Sequence, residues 1–505
     1  RNLFKKEIIN EKTIEYAARD VKYLLPLYEK QCALITNNDL QACFDLECSF
    51  APVMAYIEDC GMFLNQKRWE EKIERDTSKL NFALDKLDSL YFKYQKNTQT
   101  NLFGNSSMNW ASPQQVIRFF NEQGLYPVDK HGKPSCRKDV LSKFADQHEI
   151  VVPYLEFKKH AKNVSMYGYS FLNLCNMFPD KRIRTSFNQI LKTGRTGSGS
   201  SSESSAKEAN LQNIPNADET RHCFIPEDGY VYIIGDYTQQ EQNILANFSL
   251  NPSLLEFFRG GSNDMHSFVA RKMYSYLADK SDEEVSTKFK KERNSAKTCA
   301  FASNYGGTGY TIANNMGISK EEGDRIYESY MSSFPGLMDY FDIKERETIK
   351  LGYILTNNVT KRRIYMSEID ELRELDKQID WDDYRGHKES ETTRYFNYYK
   401  PLMVRRSKIK GTIRRTAMNA PIQSTGADMM KRAGILFFHW IIKNNYIKKV
   451  KIVNLVHDEY VNECLEELRK LIKDKLEEFM RAAAFEFCKT ILIKLEAKES
   501  LVWSH

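Results

Sequence analysis

The amino-acid sequence predicts a mixed α+β fold in which long helices surround a small sheet. Helical periodicity dominates residues 1–40 and 45–175 and returns at about 285–350. Two segments have the pattern of buried strands instead: the apolar, β-branched residues 231–234 and the alternating residues 449–463. At 505 residues the chain is too long for a single hydrophobic core, so we expect roughly two to four domains.

Composition limits the classes of function. The chain is 41% hydrophobic with a formal net charge of +6, which favours packed cores and allows a nucleic-acid partner without requiring one. Its ten cysteines include no C-x-x-C pair, which argues against a zinc or disulfide framework. No apolar run approaches the ~18–20 residues of a membrane span. The chain opens at Arg1 without a signal-like segment, as a fragment or processed product would.

The helical regions have recognisable starts and interruptions. Amphipathic stretches at 53–60 and 66–95 precede a helix start at Ser112-Pro113, since Ser caps helices and Pro fits the first turn. The Gly- and Ser-rich residues 193–209 predict a loop. A charge-dense stretch at 366–410, acidic first and basic after Tyr399, predicts a surface insertion. Residues 465–482 predict an amphipathic helix after the last strand.

Carboxylates stand at the ends of both strand segments. Asp236 follows the apolar run, and Asp458 and Glu459 occupy the polar tip within 449–463. Carboxylates held at rigid strand ends can converge on hard divalent cations such as Mg²⁺. Paired metals can then stabilise the attacking and leaving oxygens of a phosphoryl transfer. Taken singly, an Asp at a strand end is more often a turn or helix-capping residue.

A third segment places basic and aromatic side chains on one helix face. The residues that recur every four positions before two glycines are Arg293, Lys297, Phe301 and Tyr305. Steps of four keep side chains on one slowly winding face. Such a face offers two cations to a triphosphate and two rings to a base or sugar. The same pattern also fits a structural helix with a basic edge and a buried aromatic edge.

Together, these segments resemble the ordered motifs of family A DNA polymerases, the bacterial DNA polymerase I family. D-Y-T-Q-Q-E at 236–241, R-N-S-A-K-T-C-A-F-A-S-N-Y-G at 293–306 and V-H-D-E at 456–459 are similar to motifs A, B and C. Further similar segments, in the family's order, are T-G-R at 193–195, N-L-Q-N-I-P at 210–215, D-M-H-S at 264–267, R-T-A-M-N-A-P-I-Q at 415–423 and the terminal V-W-S-H. The resemblance spans about residues 45–505.

The resemblance implies a right-hand polymerase fold with an antiparallel-sheet palm, helical fingers and a helical thumb. The implied domains are a C-terminal remnant of a 3′–5′ exonuclease domain (1–44), the thumb and start of the palm (45–180), the palm with motif A (181–255), the fingers with motif B and the charged insertion near 366–410 (256–414), and the palm with motif C (415–505). The implied activity is DNA-dependent DNA polymerisation, by two-metal nucleotidyl transfer to a primer 3′ end with pyrophosphate release. The implied cofactors are two Mg²⁺ ions, with Mn²⁺ as a substitute, and the implied partners are primer-template DNA and deoxynucleoside triphosphates.

The resemblance also implies roles for individual residues. Lys297 would protonate the departing pyrophosphate, and Glu241 would be the steric gate that excludes a ribose 2′-OH. The implied metal ligands are Asp236, Asp458 and the Tyr237 carbonyl, with Glu459 as an accessory catalytic carboxylate. The implied nucleotide-binding residues are Gln239, Glu241, His266, Arg293, Lys297, Phe301 and Tyr305. The implied DNA contacts are Arg195, Asn213, Arg415, Asn419, Gln423 and His457.

The sequence departs from the family pattern in several places. Asn243 stands where the family commonly has Arg, residues 198–205 lengthen the primer-side loop, and the stretch between Arg363 and Arg415 is longer than in bacterial members. These departures concern the grip on DNA and leave the implied metal site intact.

The N-terminal segment resembles the end of a proofreading domain. Tyr16 and Asp20 match the Y-x-x-x-D motif that closes the family's 3′–5′ exonuclease, but the other carboxylates of that site do not precede Tyr16. D-L-E at 45–47 follows in the wrong order, so we expect a structural role for it and no proofreading by this chain.

Other classes of function stay open. A single-subunit RNA polymerase shares the palm and fingers, although Gln239 and Glu241 favour deoxynucleotides. A reverse transcriptase would have Y-x-D-D where this chain has His457, Asp458 and Glu459. A catalytically inactive DNA-binding homologue would normally lack a motif carboxylate or Lys297. The long insertions favour a phage- or organelle-type replicase. Such an enzyme would be located in the cytoplasm with the nucleoid, in a host cytoplasm or in an organelle matrix. A processivity factor or a helicase-primase is a possible partner, and we expect no membrane association.

Overall fold

The computed structural model describes residues 11–94, 108–129, 131–199, 209–260, 264–304 and 306–504. In these ranges helices predominate around one four-stranded antiparallel sheet and three two-stranded ones, so the predicted mixed α+β class is confirmed. No helix in these ranges combines the length and the apolar character that a membrane crossing needs.

The first third of the chain is helical, as its periodicity predicts. Ser112 caps the helix that starts at Pro113 by accepting a hydrogen bond from the Gln115 backbone N–H. Long helices of this region pack into an aromatic cluster of their own, which includes Trp110, Phe119 and Tyr154. The elements are α1 (Glu11–Lys22), α2 (Leu24–Asn37), α3 (Gln41–Cys60), β1 (Met62–Phe63), α4 (Gln66–Tyr94), α5 (Pro113–Glu122), α6 (Lys138–Leu141), α7 (Val151–Tyr167), α8 (Tyr169–Leu172) and β2 (Arg182–Ile183).

The middle third contains the first strand of the central sheet and a group of shorter helices. The predicted loop at 193–209 contains one short strand, and residues 200–208 lie outside the described residues. The elements are β3 (Phe187–Asn188), β4 (Gly197–Ser198), α9 (Asp218–Arg221), β5 (Tyr230–Tyr237), α10 (Gln240–Ser249), α11 (Pro252–Arg259), α12 (Met265–Met273), α13 (Asp282–Lys288), α14 (Lys290–Asn304), α15 (Gly309–Met316), α16 (Lys320–Ser332) and α17 (Leu337–Leu351).

The last third completes the sheet. The predicted pair of strands and the amphipathic helix after it are confirmed. The elements are β6 (Tyr353–Leu355), β7 (Arg363–Tyr365), α18 (Ser367–Gln378), α19 (Trp381–Glu389), a π-helical turn (Tyr395–Tyr399), α20 (Lys400–Lys443), β8 (Val450–Val456), β9 (Glu459–Leu465), α21 (Arg469–Phe487) and β10 (Leu495–Ser500).

The central sheet has the strand order β10-β5-β9-β8, and every neighbouring pair is antiparallel. Residues of β5 alternate between two hydrophobic clusters, Ile233 and Tyr237 in one and Tyr232 and Ile234 in the other. The sheet is therefore buried on both faces, which makes it a rigid support for side chains at its strand ends.

Helix α20 runs without interruption for 44 residues and connects several parts of the molecule. A Cβ added at Gly434 would lie 2.2 Å from the Tyr460 hydroxyl of the sheet, and one at Gly426 would lie 2.4 Å from Gln240 of α10. Toward its N-terminus, Arg414 forms an ion pair with Glu345 of α17 at 2.7 Å. The helix therefore passes from the sheet to the helices α14–α17 and on to the charged segment.

The charged stretch at 366–410 is mostly helical. Its acidic part forms α18 and α19, and its basic part is the beginning of α20. The two parts face each other through ion pairs such as Arg406 with Asp376 at 2.6 Å and Arg405 with Glu371 at 2.5 Å. The charge pattern that we interpret as a surface insertion therefore produces a folded unit with a small core beneath it.

Candidate active site

The two strand-end aspartates lie next to each other. Asp236 is near the end of β5, Asp458 is in the turn before β9, and the Tyr237 backbone N–H donates a hydrogen bond to the Asp458 carbonyl at 3.4 Å. His457 enters this turn with a left-handed φ of 55°. The buried Tyr237 hydroxyl donates to the Met480 carbonyl at 2.5 Å, which fixes the backbone between the two carboxylates.

The electrostatic setting of these carboxylates suits a cation. Burial raises the pKa of Asp458 above its usual value, and the nearby Glu241 carboxylate raises it further. Among the described residues, no group of three or more His, Cys, Asp or Glu side chains could hold a metal ion. Two aspartates would therefore supply only part of a coordination shell. This matches Mg²⁺, which commonly binds one or two carboxylates and completes its shell with water and substrate phosphates.

Glu459 is buried at the start of β9, where it has two partners from distant parts of the chain. It pairs with Asp236 across the ladder, but it is only 3% exposed. Its carboxylate accepts a hydrogen bond from Trp503 Nε1 at 2.8 Å and lies 3.9 Å from Arg221. Arg221 stacks on the Trp503 ring at 4.3 Å. The role that the resemblance implies for Glu459, an accessory catalytic carboxylate, stays a prediction. The sequence offered no local signal for Arg221 or Trp503 as its partners.

A pair of oppositely charged side chains lies beside the aspartates. Arg195 donates to Glu241 at 2.7 Å, and both side chains are about a quarter to a third exposed. Gly194, before Arg195, has a φ of 78°, and a Cβ there would lie 2.8 Å from the Arg362 guanidinium carbon. Glycine is therefore required at this position, because it can adopt the left-handed conformation and leave room for Arg362. The T-G-R segment thus brings Arg195 to Glu241, the residue for which the resemblance implies a steric-gate role.

Beneath this turn lies a buried network of ions that the sequence analysis missed. Arg362 pairs with Asp428 at 2.6 Å and also with Glu47. Lys431 donates to Glu47 at 2.7 Å. Although burial alone would raise it, Lys431 and Arg362 hold the pKa of Glu47 below its usual value. The structural role expected for residues 45–47 agrees with these contacts.

The predicted basic helix face is only partly described. Arg293 donates to Asp264 at 2.9 Å, and Asp264 caps α12 by accepting from the backbone N–H groups of His266 and Ser267. Burial alone would raise the pKa of Asp264, but Arg293 and Ser267 lower it to about 2.

Three basic residues gather at this point. Burial lowers the pKa of His266, and the positive charges of Arg293 and Lys297 lower it further, as expected where these groups lie close together. Lys297 is exposed on α14. The side chain of Phe301 and the whole of Tyr305 lie outside the described residues. Gln239 precedes α10 with a left-handed φ of 54°.

The residues implied in template binding share one face of α20. Arg415, Asn419 and Gln423 recur every four residues, the first exposed and the other two partly exposed. Gly306, which follows α14, has a φ of 67°, and a Cβ there would lie 2.4 Å from Arg415 Cγ. The end of α14 and this face therefore meet. Asn213 is exposed, and its carbonyl accepts from the Tyr167 hydroxyl at 2.9 Å.

Two other pairs of predicted residues remain: His457 with Arg195, which lie beside the aspartates, and Tyr16 with Asp20, which lie on α1. His457 and Arg195 line the same small cavity, which brings two of the implied DNA contacts together. Tyr16 and Asp20 lie on the largely exposed α1, with Tyr16 42% exposed. Their relation to an exonuclease site stays a prediction.

Comparisons with known proteins identify the family. The profile of DNA polymerase family A matches residues 85–505. DNA polymerase I of Bacillus subtilis (strain 168) is 28% identical over 478 residues, covering 92% of this chain and 46% of that protein. DNA polymerase I of Geobacillus stearothermophilus is 27% identical over 488 residues, covering 94% of this chain and 48% of that protein. The chain thus spans about half the length of these relatives.

The fold agrees with this assignment. The solved structure of the POL domain of Pol1 from M. smegmatis, in complex with DNA primer-template and dNTP, is similar with a TM-score of 0.75 at 24% sequence identity. The similarity covers 95% of this chain and 74% of that chain. The resemblance in the sequence motifs and the right-hand fold that it implies are therefore confirmed. The chain belongs to DNA polymerase family A.

Proposed function

We propose that this chain is a template-directed DNA polymerase that adds deoxynucleotides to a primer 3′ end. The observation that carries the proposal is the adjacency of Asp236 and Asp458 at the end of a rigid sheet, with the Tyr237 backbone fixed between them. The family assignment and the dNTP complex of the M. smegmatis relative support it. Primer extension with a divalent metal, comparing deoxynucleotides with ribonucleotides, tests it.

Asp236, Asp458 and the Tyr237 carbonyl are the proposed metal ligands, and hard oxygen ligands of this kind favour Mg²⁺. When bound, divalent cations there supply charge stabilisation to the attacking and leaving oxygens of nucleotidyl transfer. Glu459 is proposed as an accessory catalytic carboxylate, held at the start of β9 by the hydrogen bond from Trp503.

The nucleotide is proposed to lie between the aspartates and α14. His266, Arg293 and Lys297 would hold its triphosphate, because the cations Arg293 and Lys297 lie close to His266 and phosphates bind cations through charge-assisted hydrogen bonds. Arg293 would exchange its Asp264 contact for a phosphate. Gln239, Glu241, Phe301 and Tyr305 complete the proposed nucleotide site.

The DNA is proposed to cross the face of α20. Arg195 and Gln423 would probe the minor groove of the primer-terminal pair, where acceptor positions are shared by all correct pairs. The proposed thumb and start of the palm are 45–180, which contain a separate aromatic core. The proposed fingers are 256–414, the rest of the palm is 181–255 and 415–505, and 1–44 is the exonuclease remnant. The remaining proposed DNA contacts are Asn213, Arg415, Asn419 and His457.

Glu241→Ala is expected to raise the use of ribonucleotides relative to deoxynucleotides by about tenfold or more, because it opens the space that a 2′-OH needs. Competitive single-nucleotide incorporation measures the ratio. Glu241→Gln is the matched control, since it keeps the size of the side chain and removes its charge. A steric gate predicts that the Gln variant still discriminates. Unchanged discrimination in the Ala variant would refute the gate role.

Lys297→Ala is expected to slow nucleotide addition by about a hundredfold, because it removes a phosphate ligand and the proposed general acid. Affinity for primer-template should stay within about threefold, since the residue is proposed to contact the nucleotide. Rapid-quench incorporation and anisotropy titration measure the two quantities. Lys291→Ala is the control, an exposed lysine on the other side of the same helix. Equal rates in the two variants would remove Lys297 from the site.

A further inference from the structure

The beginning of α20 belongs to a segment with an unusual distribution of charge. From Thr392 to Ala427 the chain contains no Asp or Glu. Over the same 36 positions it has eight basic residues, namely Arg394, Lys400, Arg405, Arg406, Lys408, Lys410, Arg414 and Arg415. A run of this composition at the surface attracts either acidic groups of the same protein or an external polyanion.

Five of these cations have acidic partners within the protein. The pairs are Arg394 with Asp383, Arg405 with Glu371, Arg406 with Asp376, Lys410 with Glu345, and Arg414 with Asp342 and Glu345. These partners lie on α17, α18 and α19. Acidic residues of α17 and α18 therefore neutralise the sides of α20 that face the protein.

The other three cations point the same way. Within the portion of the chain that the structure covers, Lys400, Lys408 and Arg415 form no ion pair, and all three are exposed. At about 100° per residue they fall within an arc of about 80° around the helix. Val404, 62% exposed, and Gly411 lie inside that arc. We call these five residues the α20 stripe.

The stripe leads from the proposed template site past the fingers. Gly426 contacts Gln240 near the aspartates, and Arg415 contacts Gly306 after α14, so the helix leaves the site on the fingers side. From Arg415 to Lys400 it rises by about 22 Å, the length of about six stacked nucleotides. At its far end, Lys400 lies 5.0 Å over the ring of Phe396. Phe396 is 43% exposed and offers a stacking surface.

We infer that the α20 stripe binds the backbone of the template strand that has not yet been copied. The inference rests on the proposed function, in which the DNA crosses the face of α20 that carries Arg415, Asn419 and Gln423. Unpaired cations in a row match phosphates in a row, and an exposed aromatic ring beside them matches unpaired bases. The acidic residues of α17 and α18 keep the other sides of the helix neutral, which confines the strand to the stripe.

The test compares primer-templates whose 5′ template overhangs are about two and about twelve nucleotides long, below and above the length of the stripe. Anisotropy titration should give the wild type about tenfold tighter binding of the longer overhang at low salt. Lys400→Ala/Lys408→Ala should remove most of this difference, and Lys400→Glu/Lys408→Glu should remove all of it. Affinity for the short overhang should stay within about twofold, because these residues lie beyond its reach.

The matched control is Lys377→Ala/Arg405→Ala, which also removes two cations. Both of these are engaged with carboxylates, Glu374 and Glu371, so the control should keep the overhang dependence. The inference is overturned if the wild type binds both overhangs with equal affinity. It is also overturned if the Glu variant keeps the full difference in affinity between the two overhangs. Either result would indicate that the stripe binds a protein partner instead. Primer extension is measured separately, and its absence in the wild type would count against the proposed function alone.

Discussion

Alanine at Asp236 or Asp458 is expected to reduce primer extension by at least about a hundredfold. Each substitution removes a carboxylate from the end of the central sheet, and the loss of a metal ligand removes several kcal/mol of transition-state stabilisation. Binding of primer-template should change by no more than about threefold, because the proposed DNA contacts are other residues, most of them on α20. Single-turnover extension at saturating DNA and nucleotide separates the two effects.

Two controls make this result specific. Asp228→Ala removes an exposed carboxylate just before β5 and should leave extension unchanged. Asp458→Asn keeps the shape of the side chain and removes its charge, so it should be nearly as defective as Asp458→Ala if charge is what matters. A retained rate above about a hundredth of wild type in either alanine variant would refute the two-metal assignment.

Asp428→Ala is expected to lower the free energy of unfolding by about 3–5 kcal/mol. Asp428 has no exposed surface, and its removal leaves the buried Arg362 with Glu47 as its remaining acidic partner, which Lys431 shares. Breaking a buried ion pair by removing one partner leaves charge uncompensated in a region of low polarity. Because Arg362 also lies against Gly194, the variant should position Arg195 poorly and extend primers more slowly.

Urea unfolding followed by circular dichroism measures the stability loss. Asp370→Ala is the comparison, because its pair with Arg373 is exposed and longer, at 3.6 Å, and exposed pairs contribute little. Thr360 donates to Asp428 at 2.6 Å, so Asp428→Asn should restore part of the stability through this bond. An unfolding midpoint equal to that of the wild type in Asp428→Ala would show that the network adds nothing to stability.

The sequence predicted the parts of the fold that local patterns determine. The run at 231–234 is apolar and β-branched because β5 is buried on both faces, and the alternation at 449–463 reflects the β8–β9 hairpin. The aspartates at these strand ends could be located because an isolated carboxylate after an apolar run is easy to see. Their adjacency depended on the strand order, which local patterns do not contain, and the family resemblance supplied it.

The parts that could not be predicted involve partners far apart in the chain. Glu47, Arg362 and Lys431 meet although hundreds of residues separate the first from the others, and a buried ion leaves no periodic signal. The burial of Glu459 depends on Trp503, which the sequence identifies only as part of a terminal motif. The length of α20 could not be predicted for a different reason. Gly411 and Pro421 both disfavour helix interiors, and tertiary packing overrides them.

The continuity of α20 also limits how the chain can change in length. Removal of one residue between Lys408 and Arg415 would turn everything upstream by about 100° relative to Gln423. Lys400 and Lys408 would then face the acidic helices, while cations such as Arg406 would rotate away from their partners. Only changes near whole numbers of turns, about seven or eleven residues, would keep both ends in phase. We therefore expect natural variants of this protein to keep the spacing within α20 fixed.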